Sequence, residues 1–188
     1  MLSSEYQEHL RKEHDGSKWG STGSRYAGAK FVEILTRRPY IVTVLDYGCG
    51  KGTMKPYLQS FFPRLQITEY DPGIPGKDKP PTGRFDLVIS SDVLEHVEPL
   101  LLGETLKQLD GLTGMVAAHD IACYATGKRF SEGPYAGEDM HLIIEPPSWW
   151  RETFRLGSEL VEAEYHWQEK ASNKGPRPRC LLVMERVQ

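Results

Sequence analysis

The sequence predicts an α/β fold in which helices cover both faces of a mostly parallel sheet. Two patterns support this prediction: short apolar runs of strand length alternate with helical segments, and some of those runs are almost continuously apolar. Two further strands follow one another at the end of the chain and are expected to pair antiparallel. With 188 residues, 39% of them hydrophobic, the whole chain (1–188) is expected to form one globular domain.

The helices are predicted from periodicity and from their end signals. Apolar residues recur at helical spacing between Tyr26 and Leu35, and Pro39 ends that helix. Pro146 and Pro147 stand where a later helix begins. The predicted helices cover residues 4–14, 25–37, 53–61 and 98–109, and a segment that begins near 147.

The strands are predicted from the short apolar runs. They cover residues 41–45, 65–71, 85–91, 114–120, 160–167 and 179–187. In parallel sheets of this kind, ligands bind at the carboxyl ends of the strands. The functional residues are therefore expected at those ends.

Composition excludes several classes of protein. No apolar run approaches the roughly 18 residues that a membrane span needs, and the charged N-terminal segment lacks the apolar core of a signal peptide. The three cysteines form no CxxC motif. We therefore expect a cytoplasmic protein. The net charge of −3 does not favour strong binding to nucleic acid, and the basic segment 170–179 is expected to be a solvated loop.

A glycine-rich loop follows the first predicted strand and opens a helix, with the sequence Asp46-Tyr47-Gly48-Cys49-Gly50-Lys51-Gly52. Glycine leaves room for a ligand to contact the main chain. The loop lacks the GxxxxGK[ST] spacing of a phosphate-binding loop, and a dinucleotide-binding GxGxxG motif would need glycine in place of Thr53. The pattern present is an acid two residues before GxGxG.

Two more motifs follow in order. Asp71 ends the second predicted strand, 23 residues after Gly48, where a carboxylate can accept the hydroxyls of a ribose. The segment FDLVISSDVLEHV spans residues 85–97. Together, over roughly residues 40–120, the three motifs resemble those of the class I S-adenosylmethionine (SAM)-dependent methyltransferases. This resemblance implies a Rossmann-like sheet and SAM as the cofactor.

The resemblance also implies which residues bind SAM. The glycine loop would contact it through the backbone, and the acid before the loop would orient the loop or meet the amino group of the ligand. The second acid would bind the ribose, and a serine at the end of the third motif's strand would meet the methionyl part. The residues concerned are Asp46, Gly48, Cys49, Gly50, Gly52, Asp71, Ser90 and Ser91.

One segment departs from the family. Members usually carry a helix, a strand and a helix between their second and fourth strands, but only 13 residues, 72–84, stand here. This segment is rich in proline and glycine, so we expect a sheet contracted between strands two and four. Asp78 is a candidate partner for the adenine amino group.

Histidines near the predicted strand ends are the candidates for proton transfer, because neutral imidazole accepts protons near pH 7. His141 is the preferred base or acceptor-binding residue, and His96 and Asp92 are further catalytic candidates. His119 and Asp120 are expected to pair with each other or with the backbone.

A metal site is the alternative interpretation of the same residues. Asp92, Glu95 and His96, with His141, are similar to the E-x-x-E-H…H metal site of small-RNA 2′-O-methyltransferases. Such carboxylates and imidazoles could hold a divalent ion. Because Asp92 is shorter than the glutamate of that pattern, we predict no metal.

Two other segments bear on the acceptor. The segment EPPSW, 145–149, is similar to the [DNS]PP[YFW] motif of amino-methylating DNA enzymes, but it lies far from the expected strand and has serine for the aromatic residue. It is interpreted as a helix start, with Trp149 and Trp150 covering the acceptor pocket or the core. Residues 1–24 are a possible lid over the cofactor, in which Trp19 could stack.

The sequence thus predicts a SAM-dependent methyltransferase that acts on an oxygen or nitrogen of a small molecule, sugar or modified nucleotide. One alternative is methylation of nucleic acid at a ribose hydroxyl or a modified base. Another is a SAM-binding scaffold without transfer activity, and a third is other chemistry on SAM, such as aminopropyl transfer. The sequence names neither the acceptor nor the oligomeric state.

Overall fold

The computed structural model describes residues 2–15, 19–173 and 175–187. Helices and strands alternate as the periodicity predicts. The helices are α1 (Ser4–His14), α2 (Gly23–Arg37), α3 (Met54–Phe61), α4 (Leu102–Leu112) and α5 (Pro147–Gly157). The strands are β1 (Thr43–Tyr47), β2 (Gln66–Tyr70), β3 (Phe85–Ser91), β4 (Thr113–Ala122), β5 (Val161–Lys170) and β6 (Arg177–Glu185).

Within the described ranges these strands form one six-stranded sheet in the order β2-β1-β3-β4-β6-β5. The pairs β1–β2, β1–β3 and β3–β4 are parallel, whereas β6 runs antiparallel to both β4 and β5. The predicted fold class is therefore confirmed: a Rossmann-like, mostly parallel sheet with an antiparallel C-terminal strand pair.

Helices cover both faces of the sheet. Helices α2 and α3 pack on the face that presents Val44, whereas α4 and α5 pack on the face that presents its neighbour Leu45. Successive side chains of a strand point to opposite faces, so a nearly continuous apolar strand feeds both layers of the core. Phe31 anchors the first layer and Trp150 the second, both fully buried.

Helix α1 stands apart from these two layers. Tyr6 and Leu10 pack against Phe130 in a separate apolar cluster. The Tyr6 hydroxyl donates to the backbone oxygen of His96 at 3.0 Å, and the backbone N–H of Ser3 donates to Glu98 at 2.6 Å. Since His96 and Glu98 follow β3, α1 lies across the carboxyl ends of the strands.

The contraction between the second and third strands is confirmed. Residues 72–84, all of which are described, contain turns and neither a helix nor a strand. The backbone N–H of Asp71 donates to the oxygen of Lys77 at 3.0 Å, which closes the first part of this segment into a compact turn.

Several predicted boundaries differ from the structure by one to four residues. A 3₁₀ turn, Pro99–Leu101, precedes α4, so that helix begins later than its pattern suggested. The basic segment 170–179 is not one solvated loop, because Lys170 ends β5 and residues 177–179 begin β6. Lys174 lies outside the described residues. None of the helices in the described ranges is both long enough and apolar enough to span a membrane.

Candidate active site

A cavity of about 510 Å³ lies at the carboxyl ends of β1, β3 and β4. Its wall includes the glycine loop after β1, the start of the segment after β2, the turn after β3, and residues from α1 and from the loop before α5. This is the place that the parallel topology predicts for a ligand. Its volume lies within the range of small-molecule sites.

The glycine loop forms one wall of the cavity. Gly48 has φ +74° and Gly50 has φ +52°, angles that favour glycine. A Cβ atom at Gly48 would lie 2.4 Å from the Val93 side chain. The backbone N–H groups of Gly48 and Cys49 donate to the oxygen of Tyr70 at 2.7 and 3.0 Å, so the loop is fixed to the end of β2.

Asp71 lies beside this loop and lines the same cavity. One carboxylate oxygen accepts the N–H of Gly50 at 2.9 Å, and the other accepts the N–H of Gly73 at 2.9 Å. His14 approaches Asp71 at 3.6 Å, and burial lowers the pKa of His14 although Asp71 acts in the opposite direction. The predicted ribose acid is thus already oriented by two backbone donors.

Five of the eight predicted cofactor residues line the cavity: Gly48, Cys49, Gly50, Asp71 and Ser91. Gly52 lies outside that lining, and a Cβ atom there would lie 2.2 Å from Glu69 Oε1. Ser90 also lies outside it, since its buried hydroxyl pairs with His119 Nδ1 at 2.8 Å. The direct roles of these residues stay predictions.

Asp46 is the third predicted residue outside the lining. Its side chain is buried, and Oδ2 has no hydrogen-bond partner among the described residues. Burial, and then the nearby Glu69, raise the pKa of Asp46 to about 7. This carboxyl group lies behind the glycine loop, and it gains or loses its proton near neutral pH.

The predicted catalytic residues His96 and His141 meet in the lining of the same cavity, with ring centroids 4.7 Å apart. Nδ1 of His96 donates to the Met140 oxygen at 2.6 Å, and Nδ1 of His141 donates to the Tyr124 oxygen at 2.6 Å. Burial lowers the pKa of His96 to about 3, helped by the neighbouring His141, and burial also lowers the pKa of His141. Both rings are therefore neutral, with the lone pair on Nε2.

Glu95, which the sequence analysis named only in the alternative metal-site interpretation, joins this pair. Its side chain is fully buried, Oε1 accepts the N–H of Ala122 at 2.9 Å, and Oε2 has no partner within the described ranges. Burial, and then the nearby Asp92, raise the pKa of Glu95 well above its ordinary value. Glu95, His96 and His141 each offer a ligand atom within 4.8 Å of the others.

Asp92, the third predicted catalytic residue, follows β3 with φ +55°, which is uncommon outside glycine. Arg179 Nη1 donates to Asp92 Oδ1 at 2.6 Å, whereas Asp92 Oδ2 is buried without a partner in the described part of the chain. Arg179 also binds Asp120, which in turn pairs with Lys30. The sequence analysis gave Arg179 no role, because this residue stood where the predicted basic loop, 170–179, meets the last predicted strand, 179–187.

The N-terminal segment closes the cavity on one side. Trp19 and His96 lie edge to face, with ring centroids 4.8 Å apart, and the oxygen of Gly20 accepts the N–H of Lys51 at 2.8 Å. The predicted lid, 1–24, includes residues 1 and 16–18, which lie outside the described residues. Residues on both sides of the gap at 16–18 line the cavity, the first of them Leu2 and the last Gly23.

Three other candidate residues lie away from the cavity lining. Asp78 pairs with Arg11 at 3.0 Å on the surface. Trp150 is fully buried in the core, whereas Trp149 is partly exposed. The cavity is lined instead by aromatic and basic side chains that the sequence analysis did not assign to it, among them Tyr124, Lys128 and Arg177.

Comparison with known proteins places the chain in a family. Residues 8–113, more than half of the chain, match a family model described as a methyltransferase domain. None of the curated protein sequences matches the chain.

Solved structures share the fold at low sequence identity. A 1,6-didemethyltoxoflavin N1-methyltransferase from Burkholderia thailandensis, solved with that compound and S-adenosylhomocysteine, has 16% identity and a TM-score of 0.65 over 100% of this chain and 92% of its own. A magnesium protoporphyrin IX methyltransferase from Synechocystis PCC 6803, solved with SAM, has 15% identity and a TM-score of 0.55 over 98% and 92%. A plantazolicin methyltransferase solved with S-adenosylhomocysteine has 14% identity and a TM-score of 0.53 over 95% of each chain.

Proposed function

The chain belongs to the methyltransferase domain family, and we propose that it moves a methyl group from SAM to an oxygen or nitrogen of a small molecule, sugar or modified nucleotide. The observation that carries this proposal is the arrangement of the cavity. The glycine loop and Asp71 line it, and so do the neutral imidazoles of His96 and His141. One cavity therefore offers a nucleoside-binding side and a proton-accepting side.

The glycine loop and Asp71 fit SAM. Glycines at 48 and 50 expose main chain where a side chain would not fit, and Asp71 offers carboxylate oxygens suited to ribose hydroxyls. Two more cavity residues carry buried polar atoms without partners among the described residues, Ser91 Oγ and Asp92 Oδ2. Buried polar atoms are normally hydrogen-bonded, so these two are suited to the polar methionyl end of SAM.

The chemistry follows from the two groups of residues that line the cavity. SAM, when bound, supplies a methyl group activated by its sulfonium. The protein mainly holds the acceptor atom in line with that group, because correct orientation removes much of the barrier. Where the acceptor must lose a proton, Nε2 of His141 or of His96 is the nitrogen free to take it, since each Nδ1 is held by a backbone oxygen.

A small acceptor is supported by the acceptor side of the cavity. Arg177 lies 5.3 Å above the ring of Tyr124, and Lys128 lines the same cavity. Aromatic faces beside cations suit a planar acceptor with a negative group. The structural relatives named above also act on small ring systems or a peptide natural product, and the net charge of −3 does not favour a nucleic-acid duplex.

Calorimetry with S-adenosylhomocysteine tests the cofactor side. Asp71→Asn should weaken its binding by about 1.5–3 kcal/mol, roughly 10- to 150-fold, because charge-assisted hydrogen bonds to the ribose are lost. Asp78→Asn is the matched control, since Asp78 pairs with Arg11 at the surface. Equal affinity in both variants and wild type would contradict the assignment of Asp71.

Labelled methyl transfer tests the acceptor side. Incubation with methyl-labelled SAM and fractionated extract should label a small-molecule fraction, and S-adenosylhomocysteine should form in equal amount. Binding to oligonucleotides that falls steeply with salt would favour the nucleic-acid alternative instead. Methylthioadenosine as the product from decarboxylated SAM would indicate aminopropyl transfer, and SAM binding without any product would indicate a scaffold.

A further inference from the structure

We infer that Glu95, His96 and His141 form a binding site for one divalent transition-metal ion on the acceptor side of the cavity. The three ligand atoms lie within 4.8 Å of one another. Two imidazoles and one carboxylate are a donor set that binds such ions and leaves coordination positions open. The site itself is inferred from these residues alone, and only its role in the reaction rests on the proposed function.

The first argument is the free oxygen of Glu95. The side chain is fully buried, and its Oε1 is fixed by the N–H of Ala122 at 2.9 Å. Its Oε2 has no hydrogen-bond partner in the described ranges. An unpaired buried carboxylate oxygen is costly, and a bound cation would compensate that cost.

The second argument is the orientation of the two imidazoles. Each Nδ1 donates to a backbone oxygen at 2.6 Å, that of Met140 for His96 and that of Tyr124 for His141. In metal sites the second ring nitrogen of a ligating histidine is held by such an acceptor, which fixes the ring and leaves the other nitrogen for the ion. Both histidines therefore present Nε2 in the tautomer that a metal requires.

The third argument is the local balance of charge. Arg179 and Lys30 bind Asp92 and Asp120, so two cations meet two acids. Glu95 is a third acid, and its carboxylate accepts the N–H of Ala122 and no hydrogen bond from Arg179 or Lys30 among the described residues. A cation bound beside Glu95 would give this third acid a positive partner, as the other two acids have.

The set differs from the four-residue pattern considered in the sequence. Asp92 Oδ1 accepts a hydrogen bond from Arg179, so Asp92 is not counted among the ligands. Its side chain, shorter than the glutamate of that pattern, therefore does not weaken the cluster. The ligands of one ion at about 2.1 Å stand roughly 3–4 Å apart, so small side-chain rotations would close the set. Nitrogen donors favour zinc or cobalt over calcium, magnesium and manganese, which prefer oxygen.

An ion at this site would face the acceptor, because His96 and His141 both line the cavity. With the ion bound, both Nε2 lone pairs are occupied, and the ion would hold an acceptor hydroxyl and favour its ionised form. Without the ion, an imidazole would have to accept the proton. The metal-loaded and metal-free proteins should therefore differ in activity on hydroxyl acceptors.

Cobalt titration tests the site without SAM or an acceptor. After treatment with a chelator, the full chain should bind one Co²⁺ per molecule and develop visible absorption bands, and Zn²⁺ should displace it. Glu95→Gln and His141→Gln should each weaken Co²⁺ binding by at least about 100-fold, more than the loss of an outer partner usually costs. His166→Gln is the control, because that histidine is exposed on β5.

A crystal soaked in Co²⁺ gives an independent test with the wild-type protein, should the variants fail to fold. An anomalous peak between the three side chains supports the site. The absence of binding at millimolar Co²⁺ and Zn²⁺, equal binding in both cluster variants, or a peak elsewhere overturns it. Calorimetry with S-adenosylhomocysteine on the same samples reports on the methyltransferase proposal separately, so failure of one proposal can be told from failure of the other.

Discussion

The two ends of the parallel strands differ in how some of their acids are bonded. At the amino ends, both oxygens of Asp110 are used, by the Ser158 hydroxyl at 2.8 Å and by the N–H of Glu159 at 2.7 Å. Asp86 likewise accepts the N–H groups of Val42 and Thr43 at 2.9 and 2.8 Å. These acids join neighbouring segments and stabilise the fold.

At the carboxyl ends, three acids keep a free oxygen, whereas Asp71 and Asp120 have both oxygens bound. Asp46, Asp92 and Glu95 each have a buried carboxylate oxygen without a hydrogen-bond partner among the described residues. Acids that are equally buried occur at both ends, so burial alone does not explain the difference. The comparison teaches that this protein gives up stability at the end of the sheet where its ligands are expected.

Asp46→Asn should have the largest effect on this comparison. The folded-state pKa of Asp46 is raised to about 7, above the value of about 3.9 expected in the unfolded chain. The unfolded state therefore loses its proton first, and the stability contributed by the protonated form is lost as pH rises from about 4 to about 7. At pH 8 the variant should be more stable than wild type by on the order of 3 kcal/mol, and at pH 4 the two should be nearly equal.

Urea denaturation at pH 4 and pH 8 measures this difference. Glu152→Gln serves as the control, because Glu152 forms only an exposed pair with Arg155 and should change stability little at either pH. A constant difference between Asp46→Asn and wild type at both pH values would show that Asp46 does not titrate in this range.

Asp110→Ala should have an intermediate effect of opposite sign. The substitution leaves the Ser158 hydroxyl and the N–H of Glu159 without their acceptor, so we expect a loss of about 2 kcal/mol at pH 7. Thermal and urea unfolding would measure it, with Ser158→Ala expected to cost less because only one donor is removed. A change in the free energy of unfolding below about 0.5 kcal/mol would show that Asp110 does not stabilise the amino ends of the strands.

Asp86→Asn should have the smallest effect. Backbone donors lower the pKa of Asp86, so its contribution is present above its ordinary pKa and is lost as pH falls through the lowered value. Because the group is half-buried, we expect the variant to lose about 1 kcal/mol at pH 7 and almost nothing in strong acid. A loss that persisted unchanged in acid would point to packing and not to the charge of Asp86.

Most of the fold could be predicted from the sequence because its signals are local. Periodicity, proline stops and apolar runs placed the five helices and six strands of the described ranges close to their observed positions. The error at 177–178 has a physical reason: Pro176 and Pro178 weaken the strand pattern, and these two residues extend β6 because β5 pairs with them.

The site was predicted less completely. Glycine spacing and the acid at 71 are local signals, and both lead to the cavity. The meeting of His141 with Glu95 and His96 depends on a loop that crosses the end of the sheet, which no short-range pattern encodes. Arg179 was missed for the same reason, since only the placement of β6 beside β4 brings it to Asp92.

The contact between Gly20 and Gly50 has a consequence for how the sequence can drift. A Cβ atom at Gly50 would lie 2.4 Å from the backbone oxygen of Gly20, and one at Gly20 would lie 3.0 Å from the Cα of Gly50. No smaller residue exists, so a substitution at either position has no compensating partner at the other. Although they lie thirty residues apart in the chain, the two positions should therefore be constrained together in evolution.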